Sequence, residues 1–195
     1  MSELKDILSG RISGDEAKAL AKLDYKGELF QLLFDSDKWT SDNSAWVMTH
    51  LPKTADIWLT EHQNTLIDEA MNTTSTTKRR LIMNLLDRTT FQKESIRTDF
   101  LDFCFNTMLS NEPVGVKSLA IKLTYAQSVH YPELLDELNT ALQMTSTNGT
   151  AISLRRRIKM APNGATQLCT NPSQCKAIAK KPKPKPSPIP SKILA

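Results

Sequence analysis

SAWVMTHL (Ser44–Leu51), RRLIMNLL (Arg79–Leu86) and KSLAIKLT (Lys117–Thr124) are versions of one short amphipathic helix. Anchored on Trp46, Leu81 and Leu119, they recur at spacings of 35 and 38 residues. Each is followed by a longer apolar-periodic run: WLTEHQNTLIDEAM (Trp58–Met71), IRTDFLDFCFNTML (Ile96–Leu109) and PELLDELNTALQM (Pro132–Met144). A tandem period in this range marks helical hairpins stacked side by side, in which no unit buries its apolar face alone. The expected fold class is all-α, a right-handed α-α superhelix of such hairpins.

Local signals agree with that reading. Pro132 stands where a helix tolerates proline, in the first turn. After it Leu134, Leu135, Leu138, Ala141 and Leu142 form one apolar stripe. The Ile96–Leu109 run carries two adjacent stripes and should therefore pack on two neighbours. Asp42 or Ser41 is expected to cap the first short helix, and Thr89 with Gln92 has capping-box spacing ahead of Ile96. The dense GELFQLLFD run and two shorter amphipathic segments before it read as an atypical terminal unit covering one end. A helix over Ala151–Met160 is expected to close the other.

Stacking is obligatory on energetic grounds. Burying an apolar side chain contributes roughly 1.5–3 kcal/mol, whereas ordering a helix pair costs on the order of 1–2 kcal/mol per residue in backbone entropy. A single pair with five or six core residues does not persist alone.

The chain has 195 residues, 39% of them apolar, which is enough for one sizeable core. Its net charge of +4 conceals a split. Residues 1–146 hold 15 Lys/Arg against 21 Asp/Glu, whereas residues 147–195 hold ten Lys/Arg and no acid. The expected organisation is a helical domain over 1–160 and a disordered, basic, Pro/Lys-rich tail over 161–195, with KKPKPKPSPIPSK (Lys180–Lys192) at its heart. No run of 18 apolar residues exists to span a membrane. The charged MSELKDILSG start does not read as a secretion signal, and three cysteines make no disulfide framework. The expected compartment is the cytoplasm.

The stretch EPVGVKSLAIKLTYAQSVHYPELLDELNTALQ (Glu112–Gln143) resembles the bacterial HEAT-like (armadillo-type) α-solenoid proteins. It shows their order of proline-containing turn, basic residue, small-and-apolar helix and a YPEL start to the second helix. The resemblance extends over residues 27–160, and SLRRRIKM (Ser153–Met160) looks like a truncated final unit. It implies a curved binding surface, mostly without enzymatic activity. One HEAT-like branch, the alkylpurine DNA glycosylases, binds DNA on its concave face, but no position here matches a glycosylase catalytic aspartate.

Polar residues that could bind something fall into few groups. Lys78, Arg79, Arg80, Lys117, Arg155, Arg156 and Arg157 all stand at starts of short helices, where stacked repeats would align them as an anion-binding ridge. Cations there oppose the helix dipole, so they do not serve helix stability. The alternative is that they are solvated or form salt bridges between repeats. The acid-free tail is a second candidate for polyanion contact.

Signs of chemistry are scarcer. His62 falls on an apolar stripe and Cys104 lies in the most apolar helix, so both read as core. His50 and His130 form no ligand pair, Cys169 and Cys175 lack zinc spacing, and Trp39, Trp46 and Trp58 crowd the first repeat as packing residues. No catalytic residue, metal or cofactor is expected. The expectation is a binding scaffold for a protein partner, its concave surface lined by the second helices with Glu61, Gln63, Asp99, Asp102 and Glu137 available for contact. The alternative is a nucleic-acid binder using the ridge and the tail.

Overall fold

The computed structural model describes residues 2–145 together with Gly149 and Ile152. Apart from Ile152, the expected closing helix, with Arg155, Arg156 and Arg157, lies outside the described residues, as do Cys169, Cys175 and the segment 161–195.

Among the described residues the structure is helical, with no strand. In chain order come α1 (Glu3–Leu8), α2 (Gly14–Leu20), α3 (Lys26–Leu32), α4 (Lys38–Thr49), α5 (Asp56–Glu61), α6 (Gln63–Asn72), α7 (Thr76–Leu86), α8 (Thr98–Leu109), α9 (Val114–Ser128) and α10 (Pro132–Met144). Short 3-10 turns occupy Lys53–Ala55 and Lys93–Ser95. One apolar cluster runs unbroken from Leu4 to Leu142. This is the stack that the sequence period demands.

The three anchors lie on adjacent helices. Leu81 is buried, and Trp46 and Leu119 are half-buried against the same core. Hydrogen bonds between repeats recur at about one period: Ser75 with Asp42, Arg79 with Glu112, and Lys122 with Asp87 join residues 33, 33 and 35 apart. The repeat is thus visible in the contacts as well as in the letters.

Its phase differs from expectation by one helix. Each short helix was expected to pair with the longer helix that follows it. α6–α7 and α8–α9 form tight hairpins instead, joined by residues 73–75 and 110–113, and α7 reaches α8 only through residues 87–97, whereas α9 does pack on α10 across residues 129–131, as expected. Flank-to-flank packing is close among α4, α7 and α9, and sparse among α6, α8 and α10. A two-layered stack is spaced more tightly inside its bend, which puts α4, α7 and α9 on the inner side. The second helices lie outside, opposite to expectation.

The expected Trp58–Met71 helix is broken at His62, whose backbone turns at φ −98°, ψ 10°. The ring fills the break, with Nδ1 donating to the Trp58 carbonyl at 2.9 Å and ring centroids 4.6 Å from Phe30 and 4.5 Å from Trp58. His62 is a packing residue, as expected.

Caps also moved. α4 begins six residues before Ser44, with Asp37 accepting from the Thr40 amide at 2.7 Å. Asp42 and Ser41 therefore sit inside the helix instead of capping it. Ser41, Asn43 and Ser44 are buried there. Ser41 Oγ donates to the Leu33 carbonyl at 2.6 Å, Ser44 Oγ to that of Leu29, and Asn43 Nδ2 to those of Leu8 and Gly10, both at 2.8 Å. Side chains that ordinarily favour helix ends here stitch α4 to α1 and α3. Gln92 takes part in a reciprocal bond with Ser95 in the 3-10 turn, and Thr89 Oγ1 donates to the Leu86 carbonyl, so neither caps α8.

The centre of the stack is apolar. Phe100, Cys104 and Met108 of α8 are fully buried, and Phe100 stacks between Phe91 and Phe103 with centroids 6.2 and 6.1 Å away. Burial pushes the Cys104 thiol well above the usual range, so it stays protonated and inert.

Candidate interaction groove

The basic residues at helix starts meet different fates. Lys78 is buried, its Nζ 2.6 Å from Glu69 on the preceding helix. Arg79 is held from several sides: Nη1 lies 2.6 Å from Glu112, Nε and Nη2 donate to the carbonyls of Ala70 and Thr73, and the guanidinium packs 5.9 Å from the Phe103 ring centroid. Both residues clamp neighbouring helices together and present nothing to solvent that an anion could take. The hollow that both Lys78 and Asp35 line is already neutralised, because Asp35 receives Lys5 Nζ at 2.6 Å and Lys78 is paired with Glu69.

Arg80 and Lys117 differ. Arg80 is exposed and Lys117 half-exposed, and neither has a carboxylate partner among the described residues. They converge on the start of α9: the Arg80 stem passes over Gly115, its Cδ in van der Waals reach, 3.5 Å from where a Cβ on that glycine would stand. α9 has no side-chain cap and no acid in its first turn. The structure thus keeps two described members of the expected ridge free and ties up the other two.

Arg80 also forms one wall of a groove of about 400 Å³ between α4 and α7. Lys38, Trp39, Asp42, Asn43, Trp46, Thr77 and Leu81 complete the lining. Trp39 is 60% exposed, although it is among the largest apolar side chains in the protein. The polar lining is mostly satisfied from within. Asn43 is bonded to two carbonyls, and the Asp42 carboxylate accepts the Ser75 hydroxyl at 3.2 Å. What faces a ligand is two indoles and the two cations Lys38 and Arg80, beside the Asp42 carboxylate, whose side-chain partner is the neutral Ser75 hydroxyl. Such a surface suits an apolar group carried next to an anionic one.

The sequence did not single out this groove. Trp39 and Trp46 read as packing residues, and seven residues place them on the same side of α4 only if the helix begins near Lys38. That start was hidden by the cap-like TSDNS letters. Trp58 is packed as expected, against Phe30 at 5.6 Å.

The second helices offer less than expected. Gln63 is buried and donates to Thr89 Oγ1 at 2.7 Å. Asp99 is held by Arg97 at 2.6 Å, which keeps its carboxyl below the usual carboxylate range. Glu61, Asp102 and Glu137 are exposed as expected. His50 lies 6.2 Å from Trp46, and His130 Nε2 donates to the Phe91 carbonyl at 2.9 Å, so the three histidines stand apart in separate local contacts. Among the described residues no helix is long and apolar enough to cross a membrane.

No curated protein and no solved structure matches this chain. The sequence profile of the HEAT repeat domain does, over residues 4–161. That span takes in every helix described above, the two-layered stack and the groove between α4 and α7, and the chain belongs to the HEAT repeat family.

Proposed function

We propose that this HEAT repeat protein is a non-catalytic scaffold that grips a segment of a protein partner in the α4/α7 groove. HEAT repeat stacks generally serve as interaction scaffolds. The observation that carries the finer assignment is Trp39: an indole 60% exposed beside Trp46 and flanked by Lys38 and Arg80. Tryptophan and arginine are the residue types that dominate binding energy at protein interfaces. The complementary segment carries an apolar side chain beside aspartate or glutamate.

Quantitative capture of partners from cell lysate, after nuclease treatment, tests this. Trp39→Ala and Arg80→Glu should each lower recovery of the same partner at least tenfold, in keeping with about 2 kcal/mol for an interface anchor. Because Trp39 is largely exposed, its removal should leave the melting temperature within a few degrees. Equal recovery by the parent and both variants would sink the assignment.

The alternative is nucleic-acid binding along the remaining edge, where Arg80 and Lys117 converge on the start of α9. It requires duplex DNA to bind at low salt and both Arg80→Ala and Lys117→Ala to weaken it. Loss with Trp39→Ala alone would return the groove to a protein ligand.

A further inference from the structure

The two layers of the stack carry opposite charge. α5, α6, α8 and α10 contain nine Asp/Glu and not one Lys or Arg. α4, α7 and α9 contain six Lys/Arg against Asp42 alone. On the outer layer some acids are neutralised: Arg97 bridges Asp68 and Asp99, each at 2.6 Å. Asp102 on α8 and Glu133, Asp136 and Glu137 on α10 are exposed and take part in no ion pair among the described residues. Nothing within residues 2–145 covers this flank. The same chain also holds a segment of the opposite kind, residues 147–195, with ten Lys/Arg and no acid.

We propose that the Lys180–Lys192 segment of this chain docks on the outer face of α8 and α10. Charge complementarity supports it: these four exposed carboxylates on α8 and α10 face solvent, and the Lys180–Lys192 segment carries five lysines and no acid. Position supports it as well, because the basic segment follows α10 in the chain. The intervening residues, at about 3 Å each, are ample to return along that helix. Tethering supplies an effective concentration in the millimolar range, so weak contacts between exposed charges suffice to populate the docked form. Docking would shield the outer layer and withhold the tail from other anions. It does not depend on the α4/α7 groove.

Zero-length carbodiimide cross-linking of the full-length chain, read by mass spectrometry, tests the proposal. A mixture of isotopically light and heavy chains separates links within a chain from links between chains. The expected result is intrachain links from Lys181, Lys183 or Lys185 to Asp102, Glu133, Asp136 or Glu137, at least fivefold weaker in 0.5 M than in about 0.05 M salt as charges are screened. Reversal of Glu133, Asp136 and Glu137 to lysine should abolish them, whereas Glu3→Lys with Asp6→Lys, at the far end, should not. Because the first comparison uses the unaltered chain, it decides even if the triple variant folds poorly. Links scattered equally over exposed carboxylates such as Glu3, Asp6 and Asp15 would overturn the proposal. So would links formed only between chains, or yields indifferent to salt.

Discussion

α4 and α8 are both interior helices of one stack, yet they are sealed by different physics. α8 buries Phe100, Cys104 and Met108 among neighbours that share its apolar character. α4 buries Ser41, Asn43 and Ser44 and satisfies each from a carbonyl of an earlier helix. An apolar seal is non-directional and tolerates small shifts. A polar seal holds only in one register, because a donor that misses its carbonyl leaves two buried groups unpaired. The terminal unit is atypical for that reason: α1 and α3 are short, and beside the burial of Leu8, Leu29 and Leu33 their register is set by hydrogen bonds aimed from α4.

The largest blow to this contrast should come from the apolar side. Phe100→Ala removes a fully buried ring that stacks between Phe91 and Phe103, and should cost about 3–5 kcal/mol in chemical denaturation. If it cost no more than a surface substitution, the centre of the stack would not be held by apolar packing.

Asn43→Ala attacks the polar seal. The carbonyls of Leu8 and Gly10 receive the Asn43 amide and no backbone N–H; the exposed Gly10 carbonyl can turn to water, whereas the buried Leu8 carbonyl would be left without a partner. The expected loss is about 2 kcal/mol. Ser44→Ala is the sharper companion: the Leu29 carbonyl also accepts the Leu33 amide, so it is not orphaned, and the loss should stay near 1 kcal/mol or less. Equal costs for the two would mean that unpaired carbonyls are not what the polar seal protects against.

These two seals were unequally legible. The apolar one could be read directly, because Phe100, Cys104 and Met108 recur at helical spacing and the repeat of Trp46, Leu81 and Leu119 fixes which helices meet. The polar one could not. Ser, Asn and Asp letters signal caps from local propensity alone, and the carbonyls that draw them into a helix interior lie eight to 35 residues away. The candidate site failed for the same reason. Lys78 and Arg79 look like Arg80 in sequence, but Glu69 and Glu112 reach them only in the folded stack, and the exposure of Trp39 follows from a helix start that the letters conceal.

Lys78→Ala asks whether the middle of the stack also leans on polar contacts. The side chains of Lys78 and Glu69 are 9% and 21% exposed, so a lone Glu69 carboxylate would retain some water. The expected loss is about 1–2 kcal/mol, below that of a fully buried pair. Lys117→Ala, with no carboxylate to abandon, should be close to neutral in the same measurement.

The smallest effect per group separates the two regions by pH. Glu16 and Asp37 hold their carboxyls below the usual range by accepting bonds from Ser13 and Thr40 at the starts of α2 and α4, and Asp35 does so chiefly through Lys5. All three belong to the polar end; on α8 only Asp99, beside Arg97, behaves alike. A carboxyl whose folded pKa lies below its unfolded value stabilises the fold fully above the unfolded pKa, near 4, and the gain disappears as pH falls through the lower folded value. Amide hydrogen exchange should therefore show α1 to α4 losing protection as pH falls below about 4 more steeply than α8 and α9. Asp35→Asn should weaken α1 and α3 at pH 6, and the difference from the parent should shrink as pH falls below the ordinary carboxylate range and the parent carboxyl takes up its proton. If acid instead loosened both regions in step, the hydrogen-bonded end and the apolar middle would be one cooperative unit, and their different seals would matter to assembly without dividing the stability of the stack.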